Sequence, residues 1–154
     1  MPPVHDRAFG LPPGRRLRKP AEFAAVLSAR GPLALRFARR WFSLNAVARS
    51  APAQVRFGFT VGKRNARRSV DRALVKRILR ESARHVAPVV QAACETHGVA
   101  IDVSLRLKAP LPRAGRDLGL AQLKHDLRAD VDALLNDLDR QCSRLAAVGA
   151  SSDA

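Results

Sequence analysis

Alternating apolar and polar side chains predict three β-strands in this chain. The most regular alternation runs from Val99 to Leu107. Two further strands are predicted over Ala38–Ala48 and Gln54–Gly62, with Ser50–Pro52 as the turn between them. Each strand therefore has one face suited to a core and one face left for solvent or a ligand. On the Gln54–Gly62 strand the apolar face consists of Val55, Phe57, Phe59 and Val61.

Helical spacing of apolar residues predicts a short first helix and a long last helix. Pro20 suits the first turn of the former, and Gly31 lies just past its end. The latter begins near Leu120 and repeats leucine or valine at spacings of three and four up to Leu145. Its acidic outer face is interpreted as a solvated surface. The apolar stripe of the first helix consists of Phe23, Val26 and Leu27.

Between these two helices, a further helix with two opposite faces is predicted to start at Ser69. Ser69 is expected to be its N-cap, and Pro88 is expected to end or kink it. Because guanidinium groups fork onto phosphate oxygens, the basic face is predicted to bind nucleic acid. The apolar face is predicted to comprise Val70, Leu74, Val75, Ile78, Leu79 and Val86. The basic face comprises Arg72, Lys76, Arg80 and Arg84 at spacings of four, with Arg77 beside them.

The order of helix, strands, helix, strand, helix predicts an α+β fold in which helices cover a small, mostly antiparallel sheet. A chain of 154 residues suffices for one domain, which is placed at residues 15–148. Residues 1–14 and 149–154 are rich in small, polar, proline or glycine residues and are expected to be flexible.

The charge of the chain is concentrated in its first half. The formal net charge is +15 and the isoelectric point is near 11.7, which is typical of proteins that bind polyanions. Residues 1–84 carry 20 of the 28 basic side chains and 4 of the 13 acidic ones. The residues that connect the second strand to the basic helix are a solvated loop on one interpretation and an RNA contact on the other. We favour RNA contact for Lys63, Arg64, Arg67 and Arg68, because clustered like charges repel unless an anion neutralises them.

Catalytic motifs are absent from the sequence. There is no GxSxG, HExxH, P-loop or GxGxxG pattern, and the four histidines lie in unrelated contexts. Cys94 and Cys142 belong to no CxxC pair and are expected to be packed thiols. No apolar run suits a signal peptide or a membrane span, so a cytoplasmic location is expected.

The run from Arg56 to Glu81, RFGFTVGKRNARRSVDRALVKRILRE, resembles the signature of the bacterial ribonuclease P protein component. In that signature a strand ending in Gly-x-x-Val-x-Lys-Lys/Arg leads through a basic loop into a helix reading Arg-Asn-Arg-Ile-Lys-Arg-x-x-Arg-Glu. Similarity also extends over Arg16–Leu27, Ala38–Leu44 and Ile101–Lys108, and so covers about residues 15–140. The matching residues of the run are Arg56, Gly58, Val61, Lys63, Arg64, Arg72, Lys76, Arg77, Arg80 and Glu81.

The resemblance implies a fold of αβββαβα order with a left-handed βαβ crossover, like the second domain of ribosomal protein S5. It implies the protein subunit of a ribonucleoprotein that removes the 5′ leader from precursor tRNA. The RNA subunit would hold the catalytic site and most of the Mg²⁺, and the protein would bind that RNA through the basic loop and helix. In this scheme the leader lies in a cleft between the sheet and the first helix, and its candidate contacts here are Phe23, Arg16 and Arg106.

Two departures from the family pattern affect these expectations. The Arg-Asn-Arg triplet of the family is here Arg72, Ala73 and Leu74, so one of its two arginines is kept. The cleft of the family has three aromatic positions for base stacking, and two of these are Leu27 and Asn45 in this chain. Stacking on the leader is therefore expected to be weaker. On composition alone, a non-catalytic RNA- or DNA-binding protein, such as a ribosomal protein, is the rival interpretation.

Overall fold

The structure is a computed structural model that describes residues 13–112 and 119–152. Its helices and strands follow the order αβββαβα, preceded by a 3-10 turn at Pro13–Arg15. In the described stretches the helices are α1 (Pro20–Ser28), α2 (Ser69–His97) and α3 (Leu120–Ser152). The strands are β1 (Ala34–Ala38), β2 (Phe42–Arg49), β3 (Gln54–Thr60) and β4 (Ala100–Leu107).

The four strands form one sheet in the order β1-β2-β4-β3. β2 pairs antiparallel with both β1 and β4, whereas β3 and β4 are parallel neighbours joined by the crossover through α2. The predicted α+β class with a mostly antiparallel sheet is therefore confirmed. The hand of the crossover stays a prediction.

The hydrophobic core lies between one face of the sheet and the helices α2 and α3. Inward positions alternate along β2, where Phe42, Leu44, Ala46 and Ala48 are all buried. α2 packs beside β3, α3 packs beside β1 and β2, and the two helices contact each other. Every side chain on this face of the central strands is apolar, so the opposite face is left to hold the polar ones.

The start of the sheet differs from the sequence prediction. The strand expected over Ala38–Ala48 begins at Phe42, and Ala34–Ala38 forms an additional strand. A turn separates the two, because the Arg39 N–H donates to the Phe42 carbonyl (2.9 Å). The Asp130 carboxylate of α3 accepts hydrogen bonds from the Trp41 and Phe42 N–H groups, both at 3.0 Å. Part of the acidic face of α3 thus holds this turn, which corrects its interpretation as a purely solvated surface.

The course of α2 corrects two expectations. Arg68 is the N-cap, so Ser69 is the first helical residue. The helix also continues through Pro88 to His97 and ends at Gly98, whose φ of 68° is left-handed. Pro88 is exposed, whereas its neighbours Ala87 and Val90 are buried. Burial of the face that carries Ala87 and Val90 maintains the helix, although proline has no N–H and one backbone hydrogen bond is lost.

The ends of the domain also differ from the expected limits. α3 extends to Ser152, four residues beyond the expected boundary, because Gly149 is packed against the sheet. A Cβ on Gly149 would lie 2.9 Å from the Cβ of Ala48. Near the other end, the Gln54 side chain donates to the Gly14 carbonyl (2.6 Å). The rest of the expected flexible segments, residues 1–12 and 153–154, lies outside the described residues.

Both cysteines are buried free thiols, as the sequence analysis expects. Burial raises the pKa of Cys94 to about 11 and also raises the pKa of Cys142. Neither thiol is a good nucleophile at neutral pH, because the thiolate is the reactive form.

Two apolar residues of α2 make a matched test of this packing. Leu79 is fully buried, whereas Val70, which was expected on the same buried face, is 56% exposed. Leu79→Ala is expected to lower the free energy of unfolding by about 2–5 kcal/mol through loss of buried surface and a residual cavity. Val70→Ala is expected to change it by less than about 0.5 kcal/mol. Urea unfolding followed by Trp41 fluorescence checks both values, and equal effects would contradict the assigned orientation of α2.

Candidate nucleic-acid interface

The outer face of α2 presents cations toward α1 and the edge of the sheet. Val75, Ile78 and Leu79 are buried against the core. Lys76 and Arg80, which follow buried residues along α2, point away from it. These two side chains line a groove of about 170 Å³ between α1 and α2, which the apolar residues Leu17, Phe57 and Phe59 also line. The basic face predicted from the sequence therefore borders a groove.

Arg77 lies on a different side of α2 from Lys76 and Arg80. Its guanidinium is 3.1 Å from the Glu81 carboxylate, and Glu81 also pairs with Arg128 of α3 at 2.9 Å. The Arg77 side chain is 74% exposed and remains accessible to a ligand. However, the carboxylate offsets part of its charge.

The loop between β3 and α2 exposes the four cations that the sequence analysis assigned to RNA contact. Among the described residues, no carboxylate lies within ion-pairing distance of three of them. The fourth, Arg68, is 3.7 Å from Asp71. Asn65 anchors the loop, since its side chain donates to the Leu107 carbonyl (3.0 Å) and its own carbonyl accepts from Leu111 N–H (2.8 Å). The unpaired cations of this group are Lys63, Arg64 and Arg67.

Arg72 is half-buried, unlike the loop cations. Its Nη1 donates to the carbonyls of Ala66 (2.9 Å) and Arg67 (2.7 Å). The side chain therefore reaches back from the first turn of α2 onto the loop. Sequence reasoning placed Arg72 in one row with Lys76 and Arg80 but did not show this contact.

The second face of the sheet is polar and carries α1. Strand register places Arg36, Asn45, Ser104 and Gly58 in one row across the four strands. The next row consists of Ala38, Ser43, Arg106 and Thr60, in which Arg106 and Thr60 are exposed. At about 4.8 Å between strands, each row is about 14 Å long. The second row forms an open floor beside α1, whereas Ser104 and Gly58 of the first row are buried.

An ion-pair network that the sequence analysis did not identify attaches α1 to this face. Arg56 of β3 donates to Asp102 of β4 through Nε and Nη2, both at 2.9 Å, and also pairs with Glu22 of α1. Arg49 donates to the same Asp102 at 2.8 Å. Asp102 is buried with its side chain 5% exposed. Its hydrogen bonds with Arg56, and then its charge, favour the protonated guanidinium and raise the pKa of Arg56. In the sequence, the signal for such a buried partner was Asp102, the single acidic residue in an otherwise mostly apolar strand.

The position of Phe23 depends on a glycine beneath it. A Cβ on Gly58 would lie 2.7 Å from Phe23 Cζ and 2.9 Å from Leu17 Cδ1, so no larger residue fits without movement. Leu17 N–H donates to the Phe57 carbonyl (2.8 Å), which holds the adjoining Arg16 alongside β3. The Phe23 ring is half-buried and lines the groove that also contains Arg16, Lys76 and Arg80.

Arg106 lies in a second groove, of about 520 Å³, one turn farther along α1. Leu27, Asn45 and Ser43 also line it. Arg36 lines it too, and its Nη2 donates to the Leu27 carbonyl at the end of α1 (3.2 Å). The candidate leader residues thus occupy two grooves beside the same helix: Phe23 and Arg16 lie together, and Arg106 lies with the two residues that replace aromatic ones.

The described residues contain no group of three or more His, Cys, Asp or Glu side chains that could hold a metal ion. The carboxylates near the grooves, Glu22 and Asp102, are already paired with arginines. The described part of this chain therefore does not fit a Mg²⁺ site. None of its helices is long and apolar enough to cross a membrane.

Comparisons with known proteins identify the family of this chain. The model of the ribonuclease P family matches residues 11–135. The chain belongs to the ribonuclease P protein family. A ribonuclease P protein component from Bordetella petrii is 37% identical over 129 residues, which cover 80% of this chain and 90% of the relative. The Bordetella parapertussis protein is 38% identical over 130 residues, with the same coverage.

A solved structure has the same fold. The Staphylococcus aureus RNase P protein aligns with a TM-score of 0.51 at 20% identity and covers 78% of this chain and 94% of its own.

Family membership makes this chain the protein component of a ribonucleoprotein endoribonuclease that acts in tRNA processing, with ribonuclease P RNA as its partner. The rival interpretation as a ribosomal protein is set aside.

The contacts of Glu22 at the start of α1 generate a pH prediction. Hydrogen bonds from the Lys19 and Arg18 N–H groups, together with Arg56, lower the pKa of Glu22 from 4.5 to about 2. A lowered folded-state pKa stabilises the protein above pH 4.5, and this contribution is lost as the pH falls toward 2. Glu22→Gln is therefore expected to lower the melting temperature at neutral pH and to have progressively less effect below pH 4.5. Thermal unfolding of both proteins across this range is the measurement, and a difference that is independent of pH would contradict the assignment.

Proposed function

We propose that the exposed loop and α2 cations bind the phosphates of ribonuclease P RNA. The loop is anchored to the end of β4, so its cations are held in place before the RNA arrives. Like charges repel one another at this density, and a polyanion relieves that repulsion. The proposed RNA-contacting residues are Lys63, Arg64, Arg67, Arg68, Lys76, Arg77 and Arg80. Arg72, which the sequence analysis placed with them, bonds to the loop carbonyls instead.

We further propose that the floor beside α1 holds the single-stranded 5′ leader of precursor tRNA and so assists removal of the leader. The observation that supports this most directly is the groove in which Arg16, Phe23, Lys76 and Arg80 meet. It combines an aromatic face for a base with cations for the backbone, the combination that single-stranded nucleic acid requires. Arg16 Nε is buried without a hydrogen-bond partner among the described residues, and a leader phosphate would supply one. Arg106 extends the cationic floor toward β2.

The remaining features of the proposal follow from the RNA partner. Mg²⁺ is proposed to be bound mainly by the RNA subunit, where the chemistry takes place. The protein contributes binding and orientation of the substrate. The proposed compartment is the cytoplasm.

The loop cations are predicted to dominate the salt dependence of RNA binding. Changing Lys63, Arg64 and Arg67 together to Ala should weaken binding to ribonuclease P RNA and reduce the magnitude of the slope of log affinity against log salt by about 2–3. The matched control removes three cations of α3, which lie away from both grooves, and should change the slope much less: Arg128, Arg140 and Arg144. Filter binding at several salt concentrations measures both slopes. Equal slopes for the two triple variants would show that net charge, and not the loop, determines binding.

Phe23 is predicted to discriminate precursor tRNA from mature tRNA. In the reconstituted holoenzyme, Phe23→Ala should weaken binding of precursor tRNA by about 1–3 kcal/mol, the usual contribution of one base stacked on an aromatic ring. Binding of mature tRNA should remain nearly unchanged, because it shares the tRNA body and lacks the leader. Affinity of the variant for ribonuclease P RNA serves as the control for folding. A similar loss for both tRNA ligands would identify Phe23 as a core residue and remove it from the leader site.

A further inference from the structure

The loop between β3 and α2 is tied to the domain from two sides. On one side Asn65 bonds to the end of β4, and Ala66 is buried with 2% of its surface exposed. On the other side the carbonyls of Ala66 and Arg67 accept hydrogen bonds from Arg72. The loop therefore has a fixed backbone path, while its cationic side chains extend into solvent.

The geometry of Arg72 differs from that of a side chain free to follow a phosphate. One nitrogen, Nη1, uses both of its N–H bonds on the two loop carbonyls, at 2.9 and 2.7 Å. Hydrogen bonds from a charged donor are stronger than those between neutral groups, and their loss leaves the part-buried Ala66 carbonyl unsatisfied. Lys76, one turn farther along α2, is exposed and lies in the open groove.

The two residues that follow Arg72 differ from it in what their side chains can contact. Ala73 is exposed and has no polar side-chain group, and Leu74 packs partly against the core, so neither can contact a phosphate through its side chain. Of three consecutive helix positions, the polar one is the position that reaches the loop carbonyls.

We propose that Arg72 is a positioning residue for RNA binding, and that it holds the backbone of the loop so that Arg67 and its neighbours meet the phosphates together. This inference rests on the proposed binding of ribonuclease P RNA by the loop. If the proposal holds, Arg72 contributes to RNA affinity only by positioning the loop cations. A direct contact of Arg72 with a phosphate would instead contribute independently of them.

The first test uses the free protein and needs no RNA. Amide hydrogen exchange at Asn65 and Ala66, whose N–H groups bond to the Gly62 carbonyl, reports opening of the loop. Arg72→Ala is expected to accelerate their exchange by about tenfold or more, in line with the loss of two charge-assisted hydrogen bonds. Lys76→Ala removes the same charge one turn away and should leave the exchange rates unchanged. Unchanged rates in Arg72→Ala would overturn the proposal.

The second test is a double-mutant cycle on binding of ribonuclease P RNA. If Arg72 positions the loop, the loss caused by Arg72→Ala should shrink by at least about threefold when Arg67→Ala is already present. The cycle of Arg72 with Lys76 should be additive to within about twofold, as for independent sites. Additivity in both cycles would overturn the positioning role, whereas failure of the wild-type protein to bind the RNA would instead reject the proposed function.

A charge-preserving variant completes the experiment and keeps it decisive should Arg72→Ala fold poorly. Arg72→Lys retains the positive charge but replaces the planar guanidinium with an ammonium group on a shorter side chain. Positioning predicts faster loop exchange and weaker RNA binding for this variant, with a salt dependence close to that of the wild type. Retention of wild-type exchange and affinity by Arg72→Lys would overturn the proposal.

Discussion

The parallel pairing of β3 with β4 is the constraint on which the rest of this structure depends. Parallel neighbours cannot be joined by a hairpin, so the chain between them must cross a face of the sheet as a helix. That helix, α2, buries its apolar stripe against the sheet and must therefore turn its basic stripe outward. The crossover also brings the loop before α2 and the end of β4 to the same end of the sheet, where Asn65 joins them.

The opposite face of the sheet is arranged around a buried carboxylate. Asp102 accepts hydrogen bonds from Arg49 and Arg56, and Arg56 extends the network to Glu22. Removing one partner of a buried pair leaves an uncompensated charge, so these groups are mutually dependent. Phe23 follows Glu22 in α1, and its ring lies above Gly58. Ion pairs attach α1 to the sheet, which leaves the Phe23 ring for the proposed ligand.

The proposed binding surface is assembled from segments that are distant in the sequence. One groove combines Arg16 before α1 and Phe23 within it with Lys76 and Arg80 of α2. Single-stranded RNA requires a base-stacking surface and nearby cations, and this groove provides both within one small volume.

The sequence by itself determined the class of fold, the basic face of α2 and the family. Each of these depends on local periodicity or on a run of consecutive residues, and period-two or period-3.6 patterns are legible without knowing any partner. In three places where the sequence prediction was wrong, a distant contact decided the outcome. Burial of one face carried α2 through Pro88, packing of Gly149 on Ala48 extended α3, and Asp130 held the turn before β2.

Only the tertiary structure decided which cations are free and which are already engaged. In the sequence Arg56, Arg72 and Arg80 are equivalent basic residues, but their roles depend on which groups the fold brings beside them. Arg56 meets two carboxylates, Arg72 meets two loop carbonyls, and Arg80 borders an open groove. Electrostatic interactions act through space between residues far apart in the chain, and periodicity carries no information about such partners.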